Sequence, residues 1–70
     1  MEILLEKGVR RVAPNAFAGI NEPLRVTILE PMLMLPEGVF DGCVDVTICA
    51  HAGSFAEFYA RKHGLKFERL

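Results

Sequence analysis

Apolar residues recur along this chain as short triplets separated by longer mixed stretches. Ile3-Leu4-Leu5, Val26-Thr27-Ile28 and Val46-Thr47-Ile48 each read as a strand, the last two through their β-branched content. The first two triplets lie 23 positions apart. At that same offset Val9 falls on Met32, Val12 on Leu35, Ala16-Phe17 on Val39-Phe40, and Gly19 on Gly42. The third triplet follows 20 positions after the second. A period in this range marks a stacked repeat, in which no unit buries its own apolar face alone. The pattern predicts units at about 1–20 and 24–43 within one domain of residues 1–70, with Asn21-Glu22-Pro23 as the loop between them. Turns are expected at Glu6-Lys7-Gly8, Pro14 to Gly19, Glu30-Pro31 and Pro36-Glu37-Gly38. Phe17 and Phe40 should project into the stack at equal height.

The pattern changes after the third triplet, to a cap at about 46–70. Ser54-Phe55-Ala56-Glu57 reads as a capping box: Ser54 accepts the backbone N–H of Glu57, and the Glu57 carboxylate returns to the N–H of Ser54. A helix from Phe55 follows. Arg61, Lys62 and His63 suit the negative end of its dipole, and Gly64 supplies a left-handed stop. Phe55, Phe58, Tyr59 and Lys62 share one stripe, flanked by Ala56 and Ala60. Leu65-Lys66-Phe67-Glu68 then alternates as an edge strand does.

Composition narrows the function classes. Seventy residues allow one small domain, 51% of residues are apolar, and the net charge is −1. There is no basic excess to suggest nucleic acid, and no apolar run long enough for membrane insertion. The start, Met-Glu-Ile-Leu-Leu-Glu, does not read as a signal peptide. The chain is therefore expected to be cytoplasmic or a mature fragment with an added Met. Two cysteines are too few for a disulfide framework. A Cys43–Cys49 bridge is one reading. The better one is free thiols, since Cys43 shares its repeat position with Ile20 and a free Cys packs as a small hydrophobe.

At these residues the chain resembles the BspA-like leucine-rich repeats, whose unit reads roughly Ile-x-Ile-Pro-x-x-Val-x-x-Ile-x-x-x-Ala-Phe-x-x-Cys. Val26, Ile28, Met32, Leu35, Val39, Phe40 and Cys43 occupy those places. The segment Gly53-Ser54-Phe55-Ala56-Glu57-Phe58-Tyr59-Ala60-Arg61, then Gly64-Leu65-Lys66-Phe67, is similar to that family's C-terminal cap. Glu6 and Leu29 stand where the family has Pro, and Ile20 where it has Cys. The resemblance implies an α/β fold: a short right-handed leucine-rich-repeat solenoid with a parallel strand ladder, a capping helix and an edge strand. It also implies a secreted or cell-surface role in bacteria, in adhesion or protein–protein contact, and no enzymatic residues or cofactors.

The residues themselves offer little catalytic chemistry. Cys43, Cys49, His51 and His63 are spaced more widely than structural zinc ligands usually are. Cys49 and His51 share a strand face, yet no orienting acid or oxyanion-hole motif accompanies them. Asp41 and Asp45 read as turn residues, and no phosphate-cradling glycine loop is present.

Recognition positions follow from the strands. The outward row is expected to hold Leu4, Thr27 and Thr47, with Glu2, Arg25 and Asp45 beside it. Leu33 and Met34 stand where the sister unit has Arg10 and Arg11, so they are expected to be exposed and available to a protein partner. Ile3, Leu5 and Val9 should lie at an uncapped end and an open sheet edge, which invites self-association. The expectation is a non-catalytic protein-interaction or adhesion module. The alternative is a self-assembling unit whose open N-terminal end forms the oligomer interface.

Overall fold

The computed structural model describes all of residues 1–70. Four strands and one helix follow in the order β1 (Glu2–Leu5), β2 (Leu24–Ile28), β3 (Val46–Ala50), α1 (Phe55–Lys62) and β4 (Lys66–Arg69). The fold is a small α/β arrangement: a four-stranded sheet in the order β1-β2-β3-β4, with every neighbouring pair parallel. Parallel neighbours need a crossover between them. Two of the three crossovers, residues 6–23 and 29–45, contain no helix or strand. The third carries α1.

The 23-residue offset holds through the first strand pair, where Ile3 aligns with Val26 and Leu5 with Ile28. The third strand corrects the expectation. Val26 aligns with Ile48 and Ile28 with Ala50, an offset of 22 where the matching triplets suggested 20. A strand presents the same face every second residue, so a two-residue shift keeps Val46, Ile48 and Ala50 on the core side.

The crossovers also differ from simple superposition. Val9 N–H donates to Glu6 O, while Leu33 N–H donates to Glu30 O, so the second turn runs one residue later than the first. Leu33, not Met32, therefore takes the place of Val9: Leu33 is buried and Met32 exposed. The units realign at Ala13–Ala16 and Pro36–Val39, which close equivalent turns. Gly19 and Gly42 both adopt left-handed backbone, at φ of 74° and 75°. A Cβ on Gly42 would lie 3.6 Å from Gly19 Cα, so the two turns pass in direct contact. Gly19 N–H donates to Asp41 O at 2.8 Å across that contact.

The core lies behind β2 and β3: Leu24, Val26, Ile28, Leu33, Leu35, Val39, Phe40, Val46, Ile48 and Ala50 are buried together. Phe17 stacks on Phe40 at 5.9 Å and 20°, and Phe40 meets Tyr59 edge-on at 6.1 Å. This aromatic column runs from the first crossover to α1.

Helix α1 is held as its caps predict, with one change. Ser54 Oγ accepts the Glu57 N–H at 3.2 Å, but the Glu57 carboxylate reaches back to Gly53 N–H at 2.7 Å rather than to Ser54. Ser54 N–H is already donated to His51 O. At the other end Leu65 N–H bonds Ala60 O and Gly64 N–H bonds Arg61 O, the paired closure that a left-handed Gly64 makes available. The buried face of α1 is Ala56, Tyr59 and Ala60. Phe55 and Phe58, expected within the buried stripe, are exposed. Small residues bring the helix axis close to the sheet, and the two phenylalanines are left outside the contact.

Candidate functional site

Three surfaces carry the candidate chemistry: the outward sheet face, the end of the molecule at β1, and a groove beside α1. On the sheet face the strand register builds two rows. One is Glu2, Arg25, Thr47, Lys66; the other is Leu4, Thr27, Cys49, Glu68. The expected row of Leu4, Thr27 and Thr47 is thus corrected, with Thr47 beside Arg25 and Cys49 in its former place. Asp45 precedes β3 and pairs with Lys66 at 3.1 Å.

The face is clasped by ions. Arg25 on β2 hydrogen-bonds Glu68 on β4, spanning β3. The bond holds the Glu68 carboxyl below its usual range, and Arg25 is raised chiefly by the same bond. Cys49 lies between these strands and is only 1% exposed although it occupies an outward row. Both cysteines are free. Cys43 is half-buried, and its thiol donates to Phe17 O at 3.0 Å. His51 is exposed, as a surface turn predicts. His63 caps α1, stacks on Tyr59 at 4.1 Å and places Nε2 3.3 Å from Glu37. Of the four residues weighed for zinc, Cys43 and His63 thus engage separate partners.

At the β1 end the apolar layer is incomplete. Ile3, Leu5 and Val9 are half-buried, and Val12, Phe17 and Ile20 join them. The counterparts of the first five, Val26, Ile28, Leu33, Leu35 and Phe40, are buried, while Cys43, the counterpart of Ile20, is half-buried as well. Leu4 is 56% exposed on the outward side of the same edge strand. Glu30 ties this layer to the next: its carboxylate accepts Gly8 N–H at 2.9 Å and Met32 N–H at 3.1 Å. Those two bonds hold its carboxyl below the usual range. Sequence reasoning had named Ile3, Leu5 and Val9 here. Val12 belongs with them to the segment Met1 to Val12 expected to self-associate, while Phe17 and Ile20 were placed only by their repeat positions.

Beside α1 lies a groove of about 520 Å³, whose apolar walls are Met34, Leu35, Phe55, Phe58 and Tyr59. Met34 is 72% exposed, as expected; Leu33, expected to be exposed with it, is 2% exposed and belongs to the core. Phe55 and Phe58 were missed because aromatic residues at helical spacing read as core. No helix is long and apolar enough to cross a membrane.

Comparison with protein-family models, with curated proteins and with solved structures found no match.

Proposed function

We propose that this chain is a non-catalytic protein-interaction module, a short right-handed leucine-rich-repeat solenoid of the BspA-like kind, whose docking surface is its open N-terminal end. The observation that carries the reading is a difference in burial between matched positions. Ile3, Leu5, Val12 and Phe17 are half-wet, while Val26, Ile28, Leu35 and Phe40 are dry. The residue types are alike, so the difference lies in the missing neighbour. A layer of similar shape laid on this end would remove apolar surface at about 25 cal/mol per Å². β1 also presents unpaired backbone groups at its free edge, which an extended segment of another protein would satisfy. Adhesion at a cell surface is the setting that the family resemblance implies.

The test supplies the missing layer. A second copy of residues 1–23 is fused ahead of Met1. If the open end is a docking surface, the added layer folds onto it and raises the melting temperature by at least about 5 °C, the response to roughly 1 kcal/mol in a domain this small. An added segment that exchanges freely and leaves the melting temperature unchanged would refute the reading.

A further inference from the structure

We infer that the open end receives a strand parallel to β1 together with the turn that follows it, borne by another protein, and that Glu6 clasps that turn. This rests on the reading that the open end is a docking surface, and names the chemistry of what docks there.

The contact between the first layer and the second supplies the template. The turns after β1 and β2 are closed alike: Val9 N–H donates to Glu6 O, and Leu33 N–H to Glu30 O. Glu6 therefore holds in the first layer the place that Glu30 holds in the second, although an offset of 23 sets Glu30 on Lys7. Glu30 uses that place to reach across the layers. Its carboxylate accepts the N–H of Gly8, in the turn after β1, at 2.9 Å. Glu6 presents the same carboxylate one layer further out, exposed and with no hydrogen bond or ion pair.

The strand edge beside it is open in the same sense. Met1 O and Leu5 O accept Arg25 N–H and Leu29 N–H, so these residues turn their carbonyls to β2. By alternation Glu2 and Leu4 turn their backbone groups to the free edge. On the core side, Ile3 and Leu5 align with Val26 and Ile28, and Phe17 stacks on Phe40. An incoming layer with apolar residues at those three places repeats that contact.

Glu6 sets the direction of the incoming strand. A parallel strand ends where β1 ends, so the turn that follows it comes over Glu6. An antiparallel strand begins there and carries its following turn to the opposite corner, beside Glu2. A turn N–H gives the Glu6 carboxylate a charge-assisted hydrogen bond. A partner with an apolar group at that corner would leave the carboxylate dehydrated and unpaired. The corner thus discriminates among partners as well as binding the right one.

The chain carrying a second copy of residues 1–23 ahead of Met1 tests the inference, because the added Gly8 then stands over the original Glu6. Replacing the original residue, Glu6→Ala, is expected to lower the melting temperature of the fused chain by at least about 3 °C, and that of the unfused chain by less than about 1 °C. Hydrogen exchange at the added Gly8 amide is expected to be slowed at least about tenfold in the fused chain. Glu6→Ala should release that amide while the added strand keeps its protection, a split that a general loss of packing does not produce. Glu6→Gln keeps an acceptor oxygen and should retain part of both effects. A fused layer that stabilises the chain while its Gly8 amide exchanges freely overturns the clasp and leaves the docking surface standing. So does a Glu6→Ala cost equal in the two chains. A fused layer that neither stabilises nor is protected refutes the docking surface, and the inference with it.

Discussion

Phe17 and Phe40 are the same residue type at the same place in two units, and their values differ. Phe40 is buried between Phe17 and Tyr59; Phe17 stacks on Phe40 alone and is only partly buried. Truncating a buried phenylalanine costs about 3–5 kcal/mol. The whole stability of a 70-residue domain is about 3.5–10 kcal/mol at 0.05–0.15 kcal/mol per residue. Phe40→Ala is therefore expected to remove a large share of that stability, about 3–5 kcal/mol. Phe17→Ala is expected to cost about 1–2 kcal/mol, because a half-exposed ring has less transfer energy to lose. Urea titration of both variants checks the ratio, and equal losses would mean that the two rings share one environment. From the sequence the two positions are indistinguishable. A pattern records which residues face inward, while burial depends on whether a further layer lies outside.

At the scale of elements, α1 supplies the clearest chemistry. Ser54→Ala removes the acceptor for the Glu57 N–H and is expected to cost about 1 kcal/mol. Glu57 accepts Gly53 N–H and also Arg61, and these bonds hold its carboxyl below the 4.5 of a free glutamate. A carboxyl lower in the folded than in the unfolded chain binds fewer protons when folded. Its stabilisation is thus complete above pH 4.5 and is lost as pH falls through the folded value. Glu30 and Glu68 are lowered as well, so the three losses coincide. Urea midpoints measured from pH 6 to pH 3 are expected to fall steadily below 4.5, and more shallowly in Glu57→Gln. A midpoint flat across that range would contradict the sign. The strands, the helix and both of its stops were legible in the sequence, because capping residues and β-branched triplets act locally. Three features were not. The register of β3 slipped by two residues, which alternation cannot detect, since a two-residue shift preserves every face. Leu33 was assigned to the surface because the 23-residue offset sets it on Arg10; the second turn runs one residue later, which puts Leu33 in the place of Val9, and the wholly apolar run Met32-Leu33-Met34-Leu35 gives no contrast to reveal the shift. The helix face was misassigned because hydrophobicity ranks Phe58 above Ala60, whereas close packing against a sheet selects the smaller residue. The open end was legible in outline, and the clasp of Arg25 over Cys49 was not, for it depends on the corrected register.

For the whole molecule, both edge strands touch a single neighbour, yet they are secured differently. β4 is joined to the body by the Arg25–Glu68 and Lys66–Asp45 pairs and by Leu70 N–H on Ala50 O, and α1 packs against it and β3. β1 has the Met1 amine on Pro23 O and the Glu30 carboxylate on Gly8 N–H, and a half-wet apolar layer behind it. Local opening follows the places where the fewest apolar contacts must be broken. Fraying of β1 releases the Met1–Glu22 pair and exposes side chains that are already partly hydrated; fraying of β4 must release two ion pairs and uncover the helix. Hydrogen exchange at low micromolar concentration is therefore expected to be graded. Amides joining β2 to β3 should exchange through global unfolding, those joining β3 to β4 more readily, and those joining β1 to β2 most readily of all. The fused layer should slow only the β1 set if it seats there. Equal protection at the two edges in dilute solution would show that the layer behind β1 is as well packed as the layer under α1. The burial difference that makes this end a docking surface would then have no energetic counterpart.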